Sequence, residues 1–111
     1  MDITTKEFKH CNLVTVTGRV DSSTAPQFTQ ALDALIAKGV FNLVIDMGAL
    51  EYMSSAGFRA LLGAQRECKR FSRGEVCLAS VPVRIREALE LAGFTELFKM
   101  FPEPLEAVAS F

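Results

Sequence analysis

The sequence predicts an α/β fold over residues 1–111: a mixed, mostly parallel sheet of about four to five strands with about four helices packed against it. Three observations carry that expectation. Phe41–Asp46 (FNLVID) and Val76–Ala79 (VCLA) are short, nearly continuous apolar runs, the pattern of strands buried on both faces of a parallel sheet. Before, between and after them lie longer stretches whose apolar residues recur at helical spacing. Each such stretch stops at a glycine: Gly39, Gly74 and Gly93.

Taken in order, Ile3–Phe8 reads as a short polar edge strand. Leu13–Thr17 is rich in β-branched residues and reads as a strand ending in a turn at Gly18. Ser22, Ser23 and Thr24 then offer N-cap oxygens, and Pro26 suits a first helical turn. Ala25, Phe28, Leu32, Leu35 and Ile36 form the inner stripe of a helix ending at Gly39. After the buried run to Asp46 comes a loop, Met47–Ser55. A second helix runs from Ser54 or Ser55 to about Phe71, with Gly57, Leu61, Ala64, Cys68 and Phe71 facing inward. The Val76–Ala79 strand follows. Pro82 opens a third helix with Ile85, Ala88, Leu89 and Ala92 inward. Leu97–Phe101 reads as a last short strand, and Pro104 starts a C-terminal helix carrying Leu105, Val108 and Phe111. In such alternating folds, ligands and partners gather beyond the carboxyl ends of the strands. Two loops leave those ends: Gly18–Thr24 and Met47–Ser55.

Composition narrows the function. Half the residues are hydrophobic and 23% are charged, as in a globular domain. Twelve basic residues against thirteen acidic ones give a net charge of −1, which argues against bulk binding to nucleic acid. No apolar run is long enough to span a bilayer, and the opening MDITTKEFKHCN has no apolar core of a signal peptide. A cytoplasmic protein is expected. Cys11, Cys68 and Cys77 form no CxxC pair, so neither a disulfide framework nor a zinc site is expected; reduced thiols packed as small apolar residues fit better.

Little in the chain suggests catalysis. His10 is the only histidine and lies far in sequence from any nucleophile. There is no P-loop, no GxGxxG and no Gly-x-Ser-x-Gly elbow around Ser55. No cofactor or metal is expected. Ser54 and Ser55 stand out because they open a helix just past a buried strand. One hydroxyl can serve as an N-cap, worth about 1 kcal/mol, and that role does not need both. The dipole and free N–H groups at such a terminus favour added negative charge, so a phosphate there would be tolerated by the fold. Arg59, Arg66, Arg70 and Arg73 fall near one face of the same helix beside Lys69, offset only by Glu67. The like-charged pairs Arg66/Arg70 and Lys69/Arg73 each cost an isolated helix a few tenths of a kcal/mol, which suits a face that meets an acidic partner.

The segment VIDMGALEYMSSAGFRALL resembles the signature region of STAS domains, the bacterial anti-sigma factor antagonists. In that family an apolar strand ends in Asp or Asn, and a loop and an aromatic-Met pair lead to Asp-Ser-Ser-Gly at a helix start. Asp46, Tyr52, Met53, Ser54, Ser55, Ala56 and Gly57 occupy those places. Gly18-Arg19-Val20-Asp21 resembles the family's Gly-x-Leu-Asp turn. Ala88–Phe94 with Leu97-Phe98 resembles its C-terminal Leu-x-Leu-x-Gly-Leu segment.

The resemblance implies phosphorylation-gated binding to an anti-sigma factor that is also a serine kinase, with release of a sigma factor. A PP2C-type phosphatase would reverse the modification, and the chain itself would catalyse nothing. The phosphoacceptor falls on Ser55. The family's Asp is replaced by Ser54 and its second Ser by Ala56, so Ser54 is an alternative acceptor. The expected partner surface comprises Asp21, Ser22, Asp46, Ser54, Ser55, Gly57, Arg59, Arg66 and Arg70, on a monomer or weak dimer. Two other classes remain open: a small-ligand, nucleotide-binding or scaffolding STAS module with no sigma factor, and a hydrolase using Ser55. The absent glycine-rich loop counts against nucleotide binding, and the missing His/Asp partners count against a hydrolase.

Overall fold

The structure, a computed structural model, describes all 111 residues, Met1–Phe111. Its strands are β1 (Asp2–Glu7), β2 (Asn12–Val20), β3 (Leu43–Asp46), β4 (Leu50–Met53), β5 (Val76–Ala79) and β6 (Met100–Phe101). Its helices are α1 (Ala25–Ala37), α2 (Ser55–Lys69), α3 (Val83–Leu91) and α4 (Pro104–Ala109). The sheet order is β1-β2-β3-β5-β6, with β4 paired to the far end of β2. Only β1 runs antiparallel to its neighbour; every other pair is parallel. This is the mixed, mostly parallel sheet that the sequence predicts.

Two departures concern β2. The expected turn at Gly18 is a bulge: the strand continues through it to Val20, with Gly18 at φ +90°. That backbone conformation is open to glycine and strained for other residues. Along one edge, β2 changes neighbours at this point. The Asn12 N–H donates to the Asn42 carbonyl before β3, and the Gly18 N–H donates to the Ala49 carbonyl before β4. β4 itself lies in the expected loop.

Strand alternation divides the core. Val14, Val16, Leu43, Ile45, Val76 and Leu78 join the large cluster beneath α1, α2 and α3, where Phe28, Leu32, Leu61, Cys68, Ile85 and Leu89 are buried. On the opposite face, Cys11, Val44 and Ala79 meet Ala107 of α4, flanked by Phe8, Phe101, Val108 and Phe111. Two inward assignments fail: Ala92 is exposed, and Phe71 is 80% exposed. The α2 helix ends at Lys69, short of Gly74, and Phe71 and Ser72 adopt left-handed backbone at φ 58° and 56°. Each such non-glycine residue costs on the order of 1–3 kcal/mol. All three cysteines are free and buried, and burial pushes the Cys68 and Cys77 thiols up to about 11.

Gln65 is a buried polar side chain on the inner side of α2. Its Oε1 accepts from the Val76 N–H at 2.6 Å, and its Nε2 donates to the carbonyls of Val76 (3.0 Å) and Leu97 (2.7 Å). Farther along β5, the Leu78 and Ser80 N–H groups on the same edge donate to Lys99 and Phe101 at β6. The two-residue β6 is too short to reach Val76, and the Gln65 carboxamide takes the place of the missing peptide. Gln65→Leu is expected to lower stability by about 2–3 kcal/mol in denaturant unfolding, because it leaves buried backbone groups unpaired. Gln65→Glu should be comparably unstable at neutral pH and recover partly on mild acidification, when the carboxyl regains a donor.

Candidate functional site

The site is built where β2, β4 and α2 meet. Val20 at the end of β2 pairs with Met53 at the end of β4, and the Ser54 N–H donates to the Val20 carbonyl at 2.7 Å. These contacts fix the entry of α2. Ser54 is its N-cap residue, with its carbonyl accepting from the Phe58 N–H at 3.1 Å. Its side chain makes no cap, contrary to the expected N-cap role of a hydroxyl: the Ser54 Oγ is buried and has no hydrogen-bond partner. Ser55, the first residue of the helix, is exposed. The two hydroxyls therefore differ in access, one enclosed and one open to solvent at the positive end of the helix dipole.

Gly57 is buried beneath the first turn. A Cβ there would come within 2.6 Å of Met53 Cγ and 2.9 Å of Val20 Cγ1. Gly57 thus seats α2 on the strand ends and presents no side to an outside partner. Phe58, also buried, meets Phe94 edge-on, with ring centroids 6.3 Å apart. Arg59 is exposed one turn after Ser55.

Asp21 organises the β2–α1 loop. Its Oδ1 accepts from the Ser23 hydroxyl (2.6 Å), the Ser23 N–H (3.0 Å) and the Thr24 N–H (3.2 Å). In return the Asp21 N–H donates to Thr24 Oγ1 at 2.9 Å, while that hydroxyl donates to the Arg19 carbonyl. The Ser23 hydroxyl, above all, holds the Asp21 carboxyl below its ordinary range. Thr24 is the N-cap residue of α1 but bonds back into the loop, so none of the expected side-chain caps forms on that helix. Ser22 is exposed on the same loop. Asp46, half-buried at the end of β3, accepts from the Gly48 N–H at 3.0 Å. Neither aspartate is hydrogen-bonded to Ser55.

Arg66, Lys69 and Arg70 are exposed toward the other end of α2. Glu67 lies 3.7 Å from Arg70 and 3.6 Å from Arg73, whereas Arg59, Arg66 and Lys69 have no ion-pair partner. No three His, Cys, Asp or Glu side chains converge to hold a metal ion, and no helix is long and apolar enough to cross a membrane.

A mostly parallel sheet with an antiparallel edge, and a serine-bearing helix seated on the joined ends of β2 and β4, define the class. The chain belongs to the STAS domain family, whose sequence model matches residues 2–107. Among its relatives is BtrV of Bordetella bronchiseptica, described as an anti-sigma factor antagonist. It is 34% identical over 94 residues, which span 85% of this chain and 80% of BtrV. A crystal structure of an anti-sigma factor antagonist from Mycobacterium paratuberculosis matches with a TM-score of 0.85 at 25% identity, covering 98% of this chain and 92% of that one. The Bacillus cell fate determinant SpoIIAA in its phosphorylated form shares the fold, with a TM-score of 0.78 at 18% identity over 98% of both chains.

Two outcomes are expected. Gly57→Ala should destabilise the protein by about 1–3 kcal/mol in thermal or denaturant unfolding, although alanine is the better helix former by about 1 kcal/mol. The crowding against Val20 outweighs the propensity gain. For Asp21, a lowered folded-state pKa means that its contribution is complete above the ordinary value of 3.8 and is lost as the pH falls through the lowered one. An NMR titration should therefore find the Ser23 and Thr24 amides unmoved from neutral pH down to about pH 4, with loop changes only below.

Proposed function

We propose that this chain is an anti-sigma factor antagonist whose binding to an anti-sigma factor, itself a serine kinase, is gated by phosphorylation of Ser55. The observation that carries this reading is the contrast between the two serines: Ser55 is exposed at the first position of α2, while the Ser54 hydroxyl is enclosed. Kinase access favours the first. Support also comes from the relatives: BtrV is described as an anti-sigma factor antagonist, and SpoIIAA has been solved in unphosphorylated and phosphorylated forms.

In this reading the unmodified surface around Ser55 docks on the anti-sigma factor, which then releases its sigma factor. Ser55 and Arg59 of α2, the backbone of Ser54 at its N-cap and Ser22 of the neighbouring loop contribute to the contact. Asp21 and Asp46 hold their loops in shape, and Gly57 sets the height of the helix. Arg66 and Arg70 act from farther along α2, chiefly by steering association through charge screened over about 8 Å at physiological salt. The chain is a substrate in the cytoplasm and has no catalysis of its own; a PP2C-type phosphatase restores the hydroxyl.

The energetics favour a switch in binding over a switch in folding. A phosphate at an exposed helix N-terminus gains about 0.3–1 kcal/mol from the dipole, and no acidic residue in the first turn opposes it. Pressed against a partner surface that fits a neutral hydroxyl, the same group loses several kcal/mol of hydration unless a cation meets it.

Ser55→Asp is therefore expected to keep its Tm within about 2 °C of the parent and to weaken binding to the anti-sigma factor by roughly a hundredfold or more. With the native kinase, Ser54→Ala should still incorporate phosphate and Ser55→Ala should not. Labelling lost in Ser54→Ala but kept in Ser55→Ala would move the acceptor by one residue. Binding of Ser55→Asp at parental strength would remove the gate.

A further inference from the structure

The basic end of α2 holds more than the charge that steers association. A groove of about 640 Å³ opens there, lined by Leu62, Gln65, Arg66, Lys69, Arg70 and Leu97. Arg66 and Lys69 are exposed and unpaired. Leu62 and Leu97 add an apolar strip; Leu97 is 41% exposed. Beside the groove, the chain turns through two successive left-handed residues and thrusts Phe71 into solvent. Arg70 joins the two features: it lines the groove, and its guanidinium lies 5.1 Å from the centroid of the Phe71 ring.

The ordinary account of the cations is the helix dipole, which favours basic side chains in a last turn. It covers Arg66 and Lys69. It does not cover an aromatic ring held out of the core on strained backbone, where a glycine or a polar residue would serve the turn better. Strained backbone clusters at functional sites, and aromatic and arginine side chains are enriched where proteins bind one another.

We propose that the C-terminal end of α2 is a second docking surface, one that takes an acidic partner segment carrying an apolar side chain. Carboxylates of that segment would meet Arg66, Lys69 and Arg70. Its apolar side chain would lie along Leu62 and Leu97 and against the Phe71 ring. Along the helix axis, Arg66 lies about 16 Å and Lys69 about 21 Å from Ser55, two screening lengths or more at physiological salt. The surface is therefore independent of the Ser55 switch and stays available in both states of it.

The test is fluorescence anisotropy on the full chain with a short labelled peptide of alternating Glu and Leu. Polyglutamate of equal charge and an oligouridylate serve as comparisons. The Glu/Leu peptide is expected to bind best. Lys69→Glu and Phe71→Gly are each expected to weaken it about tenfold or more. The Phe71→Gly protein should melt at or above the parental temperature, because glycine relieves the left-handed strain. Ser55→Asp should bind the peptide like the parent. Equal binding of polyglutamate would reduce the surface to bulk charge, and tighter binding of the oligouridylate would assign it to nucleic acid. A Phe71→Gly protein that binds at parental strength would overturn the proposal. So would loss of the peptide in Ser55→Asp, which would merge this surface with the first. Loss of Ser55 phosphorylation would leave the result untouched, so the two readings can fail separately.

Discussion

A single carboxamide sets the position of the helix that everything functional rides on. Gln65 reads the open edge of β5 as another strand would, accepting from Val76 N–H and donating to its carbonyl, and reaches Leu97 with its second amide proton. A buried amide that is fully matched in this way rigidifies its surroundings, whereas a half-matched one would be a liability. At the other end, α2 is tied to β2 by the Ser54 N–H and seated by the missing side chain of Gly57. Pinned at both ends to different strands, the helix cannot roll or slide without breaking buried hydrogen bonds. Ser55 at its start and the basic groove near its end are therefore held in a fixed relation.

Much of this was legible in the residues themselves. The apolar runs at β3 and β5 and the stripes of α1 and α2 follow from periodicity alone, because burial on a sheet leaves few other patterns. The errors have physical causes. β4 is four residues long, and its two middle residues, Glu51 and Tyr52, are exposed, so Leu50–Met53 carries neither a continuous run nor a sustained alternation. Gly18 reads as a turn because glycine at the end of a β-branched run usually is one; here β2 bends and takes a new neighbour. Phe71 keeps the helical spacing of the inner stripe, but the backbone leaves the helix just before it. Nothing in periodicity registers a change of hand.

The site was legible to a similar degree. The serine pair, the aspartates and the basic face are visible as residue types at a helix start, a loop and a helix flank. Their division of labour is not, because it depends on which way each side chain turns. Asp21 bonds inward to Ser23 and Thr24, and the Ser54 hydroxyl is enclosed while Ser55 is not. Gln65 belongs to no motif in the sequence. A glutamine beside Leu61, Ala64 and Cys68 on an inward stripe was the available signal: a polar group on that face must find partners or be costly.

The uneven layering has a consequence for how the molecule opens. Three helices cover one face of the sheet, but the other depends on the six-residue α4, through Ala107 and its neighbours Val108 and Phe111. So small a unit can detach at far less cost than the whole fold, as a separate cooperative segment. Cys11 lies on that thinly covered face, and strand alternation puts Cys77 there too, whereas Cys68 sits in the large cluster under α2. Exposing Cys11 or Cys77 on that side therefore requires only the small C-terminal cover to lift, whereas exposing Cys68 requires the main core to open.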